Sequence, residues 1–226
     1  MDNYQKKNVV IGMFFTLLLL LATMFFSSLF RFTTFHKSEQ FWLTRFTVWI
    51  CLIVIYLFVN QVEKNDFLIW KEQKFTVFEY LKSFINIMAS ILFGAIIIGI
   101  TLKFFGANIA KSAKIIEVVS IMKNNFPLLI FTCLTAGITE ELIFRGYLMP
   151  RIALFYDNKY STIVISSLLF GLMHIGYGTV LQIVGPTFIG LIFAIHYQKF
   201  RNIKILIFCH FFWDFMMLMV ASNVNY

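Results

Sequence analysis

The chain has 226 residues, of which 60% are hydrophobic, 19% aromatic and only 13% charged. A soluble domain carries about 45–50% apolar and about 25% charged residues, so this composition excludes an ordinary soluble fold and points to a polytopic membrane protein. The net charge of +8 does not indicate nucleic acid. The basic residues are spread through the connecting segments, where they set topology and meet anionic lipid, and no aromatic-basic stripe offers base stacking.

Residues 1–8 are polar and carry Lys6 and Lys7, and Val9–Phe30 is uncharged and apolar. That run is too long for a signal-peptide core and no A-x-A site follows, so it is predicted to be a retained first span. Arg31–Gln40 leads to a second span over Phe41–Val59, with Arg45 near its start and able to snorkel. Residues 60–84 read as a mixed-charge connection, partly helical at the interface. A third span is predicted over Ile85–Phe105. In 106–125, Lys111, Lys114, Glu117 and Lys123 alternate with aliphatic residues, which suits an amphipathic helix on the membrane surface or a soluble connector helix.

Phe126–Phe155 reads as a long apolar helix holding Glu140, Glu141 and Arg145. A fifth span over Ser161–Ile175 holds His174. A sixth over Val180–Tyr197 contains Gly185-Pro186, expected to kink it, and Gly190 and Ala194 give it a small-residue face for close contact. The last, Ile203–Ala221, carries His210 and Asp214. The fold expectation is an all-α polytopic transmembrane bundle of about seven spans, six to eight, forming one membrane domain over 1–226. Residues 1–125 supply the N-terminal spans and connector, and the C-terminal four helices, residues 126–222, supply the catalytic core. A cytoplasmic N-terminus places most of the 19 Lys and Arg residues inside, so a multi-pass cell-membrane protein oriented that way is expected. Cys51, Cys133 and Cys209 lie in apolar runs without a CxxC motif and read as buried small hydrophobes.

Six ionisable groups therefore lie inside hydrophobic segments: Glu140, Glu141, Arg145, His174, His210 and Asp214. Each costs roughly 2.5–3.5 kcal/mol at the bilayer centre even on lenient scales, so such groups pair inside the bundle and mark chemistry or transport. Glu141 and Arg145 are i,i+4 and can pair, as can His210 and Asp214. Glu140 sits about 100° round the helix from Glu141 and is expected to meet a different neighbour. Phe170 and His174 share a face. A carboxylate in an apolar cavity can take a proton from water, one imidazole can hold that water, and a second can donate to a developing oxyanion. These parts suffice for peptide-bond hydrolysis without a protein nucleophile. Ser166 and Ser167 lack a marked partner, and Cys209 diverges from its neighbour His210. His196 and His36 read as a packing residue and a solvated loop residue.

The same residues spell EExxxR (Glu140, Glu141, Arg145), FxxxH (Phe170, His174) and HxxxD (His210, Asp214). In that order, each on its own apolar helix, they resemble the CPBP family (CAAX-protease and bacteriocin-processing, or Abi) of intramembrane glutamic endopeptidases, over Phe126–Ala221 and in its bacterial branch. The resemblance implies that Glu140 and His174 activate water and that His210 with Asp214 stabilises the oxyanion. Glu141, Arg145 and Phe170 would support the site or bind substrate. Where the family has Asn or Asp at 214, an ionised Asp cannot donate a hydrogen bond; Asp214 would orient His210 and favour its charged form, or carry a proton itself. The implied partners are a membrane-associated peptide or protein substrate, the lipid bilayer and a partner membrane protein, with a role in leader or signal processing or in bacteriocin self-immunity. No cofactor is implied. Zinc held by Glu140, His174, His210 and Asp214 is one alternative. A non-catalytic immunity or scaffold protein and a proton-coupled transporter are the others.

Overall fold

The computed structural model describes residues 3–106 and 112–223. Among them there are eight helices and no strand. They are α1 (Asn3–Leu29), α2 (Lys37–Glu63), α3 (Val77–Phe104), α4 (Ala113–Lys123), α5 (Phe126–Ile152), α6 (Lys159–Leu172), α7 (Leu181–Phe200) and α8 (Ile203–Asn223). All but α4, with α6 counted through its 3-10 extension to Tyr177, are long and apolar enough to cross a membrane, which gives the seven spans expected. Of the predicted connector helix, residues 107–111, including Lys111, lie outside the described residues. The remainder forms α4, started by Ser112, whose Oγ accepts from Ile115 N at 3.2 Å.

Successive spans run in opposite directions, and the connections sort to two ends of the bundle accordingly. At one end, α4 is tied to the start of α2 by Lys37–Glu117 at 2.5 Å, and to the α6–α7 turn by Lys114 Nζ donating to Gly176 O at 3.2 Å. At the other end, Gln73 N donates to Arg201 O at 2.8 Å, and Arg151 Nη1 donates to Phe67 O at 3.1 Å.

Three features of the helices and their ends have local causes. α3 begins at Val77 rather than Ile85, because Thr76 and Glu79 form a capping box: Thr76 N donates to Glu79 Oε2 at 2.7 Å and Glu79 N to Thr76 Oγ1 at 3.3 Å. α7 runs through Pro186 unbroken. Pro186 is only the sixth residue of the helix, so its missing N–H removes a single bond to the first turn. Third, Glu63 and Arg151, read as connection and topology charges, are both fully buried and bonded to each other.

Close approaches, rather than large side chains, bring the C-terminal helices together. A Cβ at Gly171 of α6 would collide with Thr187 Oγ1 of α7, and one at Gly137 of α5 would lie 2.9 Å from Ile207 O of α8. The small-residue face of α7 is used in this way: a Cβ at Gly190 would sit 3.0 Å from Arg145 Nη2, and Ala194 is buried.

Candidate active site

The site begins with an irregularity in α5. Phe126–Thr135 is α-helical, after which Ala136–Glu140 and Leu142–Leu148 are wound as π-helix before Met149–Ile152 resumes the α-helix. The i→i+5 pattern widens the turn and turns successive side chains through less than the α-helical 100°. Both glutamates lie on this irregular stretch and both approach His210, while Arg145 is bonded by Glu141 and not by Glu140. Glu141 Oε1 lies 2.8 Å from His210 Nδ1, and Glu140 Oε2 lies 3.9 Å from His210 Nε2. Gly137 makes this possible. It lets the backbone of α5 press on Ile207 O and Phe211 N of α8, so residues three and four further along α5 reach the imidazole between those contacts.

Glu141 is wholly enclosed and bridges two partners. The same Oε1 that meets His210 accepts from Arg145 Nη1 at 2.9 Å. The i,i+4 pair read from the sequence is therefore present, but Glu141 is more than Arg145's counterion. His210 Nε2 also faces Asp214 Oδ2 at 3.5 Å. The orienting contact expected of Asp214 is thus the longer one, and Glu141 makes the shorter. For Nδ1 to bond a carboxylate it must carry a hydrogen. That tethers the ring and points Nε2 at Glu140 and Asp214.

Arg145 is fully buried. Its guanidinium lies 4.3 Å over the Phe170 ring and fits because Gly190 has no side chain. Its Nε and Nη2 have no hydrogen-bond partner, and neither do Glu140 Oε2 and Glu141 Oε2. Buried polar atoms are ordinarily paired, so these four unpaired atoms stand out in the interior of the bundle.

Phe170 is buried and connects the parts: its ring centroid is 5.1 Å from His174, 5.9 Å from His210 and 5.2 Å from Phe144. His174 lies just beyond the last turn of α6, and its Nδ1 meets Phe170 O at 3.0 Å. A carbonyl only accepts, so the hydrogen is on Nδ1 and Nε2 keeps its lone pair. Phe170 contacts both imidazoles, and His210 faces Glu140, Glu141 and Asp214, so all three motifs converge. Among the described residues no group of three or more His, Cys, Asp or Glu side chains is arranged to hold a metal ion.

The other candidates take up ordinary roles. Ser166 Oγ donates to Phe144 O and Ser167 Oγ to Ile163 O. His196 packs on Phe200 at 4.6 Å, and exposed His36 precedes α2. Two residues near the site escaped the sequence reading. Tyr177 stacks on His174 at 6.1 Å and lies in the field of Arg45, Glu140 and Asp214. Arg45, read as snorkelling, has an enclosed Nε with no partner. Its depth was the available signal: it is the ninth residue of α2, about 12 Å along the helix from Lys37.

No curated protein and no solved structure matches the chain. Residues 122–216 match the family described as type II CAAX prenyl endopeptidase Rce1-like. That interval contains all three motifs and the helices that bring them together. The chain is thus a multi-pass membrane protein whose residues 122–216 are similar to the type II CAAX prenyl endopeptidase Rce1-like family.

Proposed function

We propose that the protein is an intramembrane endopeptidase that hydrolyses a membrane-associated peptide with a water activated by Glu140 and His174. The observation that carries this reading is the imidazole of His210, tethered through Nδ1 to Glu141 at 2.8 Å with Nε2 turned towards Glu140 and Asp214. Glu140, the more open of the two glutamates, takes a proton from water while His174 Nε2 accepts that water's other hydrogen. The water oxygen attacks the scissile carbonyl carbon. The carbonyl π pair moves onto oxygen, and the oxyanion accepts a hydrogen bond from His210 Nε2–H. Glu140 returns its proton to the peptide nitrogen, the C–N bond breaks, and a carboxylic acid and an amine leave. Glu141 and Arg145 hold His210 in register, and Phe170 holds both imidazoles. The reagent is water and no cofactor is required. The clients in this reading are leader, signal or bacteriocin-type peptides, or a C-terminal substrate in the CAAX-like sense, which the family likeness supports.

The test uses purified full-length protein in proteoliposomes with a mass-encoded mixture of hydrophobic peptides, some of them prenylated. Wild type is expected to give discrete cleavage products by mass spectrometry. Glu140→Gln and His174→Ala are expected to give none while eluting and melting as wild type. Cleavage that survives both substitutions would overturn the catalytic reading in favour of a binding or scaffold role, and loss on chelation with recovery on added zinc would replace it with a metalloprotease.

A further inference from the structure

A second site lies on the far side of α8 from His210, at the end of the bundle formed by residues 64–76 and 200–203. Two cavities meet there. The first, of about 470 Å³, has a mixed lining, the polar residues Glu72, Gln73, Lys74, Asn202 and Lys204 together with Phe75 and Tyr80. The second, of about 550 Å³, is almost wholly apolar and is lined by Val77, Leu81, Phe84, Ile205, Phe208 and Phe212, again with Tyr80. Tyr80 is common to both, so the two form one cleft with a polar mouth and a greasy trough between α3 and α8.

The mouth is a built structure. Glu72 Oε1 accepts from Tyr197 OH at 2.7 Å, and Oε2 accepts from Ile203 N at 2.6 Å. Asn202 Nδ2 donates to Gln73 O at 2.8 Å and to Tyr80 OH at 3.4 Å. The one carboxylate in the mouth is therefore engaged with the protein, and the loop that carries it is pinned to the α7–α8 turn. Lys74 and Lys204 are exposed, and neither has an ion-pair partner among the described residues. The mouth thus presents two uncommitted cations. The trough below is walled by rings in mutual contact, Phe84 with Phe208 at 5.4 Å and Phe84 with Phe212 at 5.1 Å. From Ile205 to Phe212 it follows α8 for about 10 Å, which fits within one leaflet of a hydrocarbon core about 30 Å thick.

An occupant must carry an anionic group at the interface and an apolar chain descending into the same leaflet. We propose that this cleft is a binding site for an anionic phospholipid, its phosphate at Lys74 and Lys204 and one acyl chain along Phe84, Phe208 and Phe212. Charge complementarity at the mouth selects the headgroup, and the aromatic trough accepts any chain of sufficient length. Its occupancy bears on the face of α8 opposite His210, so bound lipid props the helix that carries half of the candidate site.

The experiment is native mass spectrometry of the full-length protein in detergent, titrated with dioleoyl phosphatidylglycerol or dioleoyl phosphatidylcholine. Wild type is expected to retain the anionic lipid about five-fold or more over the zwitterionic one, with the preference falling as salt is raised. Lys74→Gln with Lys204→Gln is expected to bring the ratio close to one. The same number of charges removed at the opposite end, Lys103→Gln with Lys123→Gln, is expected to leave it unchanged. Phe84→Ala with Phe208→Ala is expected to weaken both lipids alike. Equal retention of the two lipids by wild type would overturn the proposal, as would an equal loss of preference in the two lysine pairs. None of these readouts depends on peptide cleavage, so the outcome is independent of the catalytic reading.

Discussion

Glu140 and Glu141 are adjacent in the chain but are predicted to fail differently when neutralised. Glu141 is enclosed, and its Oε1 serves both Arg145 and His210. Glu141→Gln leaves a fully buried guanidinium without a counter-charge, and breaking such a pair from one side costs about 3–5 kcal/mol. Glu140 keeps a side chain 27% exposed and makes no hydrogen bond shorter than its 3.9 Å approach to His210. Glu140→Gln is therefore expected to change stability by less than about 1 kcal/mol, while abolishing cleavage. Denaturation in mixed micelles, run beside the peptide assay, separates the two. A Glu141→Gln protein as stable as wild type would mean that the Arg145 charge is balanced elsewhere. Asp214→Asn provides the complementary expectation. An amide can donate where an ionised carboxylate cannot, and the His210 tether to Glu141 is untouched, so cleavage should be retained rather than lost.

The contact of α5 with α8 decides whether these side chains meet. A Cβ at Gly137 would lie 2.9 Å from Ile207 O and 3.0 Å from Phe211 N, both backbone atoms that cannot rotate aside. Gly137→Ala must therefore separate the two helices, at about 1–3 kcal/mol of overpacking, and withdraw His210 from both glutamates. Cleavage is expected to fall at least as steeply as the melting temperature, whereas Gly185→Ala, at a position open to space, should alter neither. The spacing of the sequence disclosed part of this arrangement. Glu141–Arg145 and His210–Asp214 are local i,i+4 relations, and burial cost alone singled out the six ionisable groups. The π-helical turn was not legible. No i,i+3 or i,i+4 relation in the sequence encodes it, and it spans the residues that carry Glu140 and its neighbours up to Leu148.

Residues 122–216 carry the family likeness, but they do not stand alone in the bundle. Arg151 at the end of α5 donates through Nε and Nη2 to Glu63 Oε2 at 2.8 and 2.7 Å, and its remaining hydrogens reach the carbonyls of Tyr147, Phe67 and Asp66. Tyr147 OH donates to Glu63 Oε1 at 2.6 Å, and Gly12 of α1 has no side chain where Glu63 and Tyr147 approach it. This cluster fastens α1, the π-turn at the end of α2 and the loop after it to the same helix that presents Glu140 and Glu141. Every polar atom of Glu63 and Arg151 is bonded, unlike those of Arg145, which marks the cluster as a clamp and not a second reaction centre. Its energetics follow from the asymmetry of buried ion pairs. Removing one partner strands the other, so Arg151→Met is expected to cost about 3–5 kcal/mol, whereas replacing both by apolar residues removes the desolvation penalty together with the attraction. The double variant Glu63→Met with Arg151→Met should therefore be more stable than Arg151→Met alone, and a thermal double-mutant cycle should return a coupling of about 2 kcal/mol or more. Additive losses would mean that the first two helices merely lie beside the family core. A large coupling, with cleavage falling in the single variant and recovering in the double, would mean that the N-terminal spans hold α5 in the register its two glutamates require.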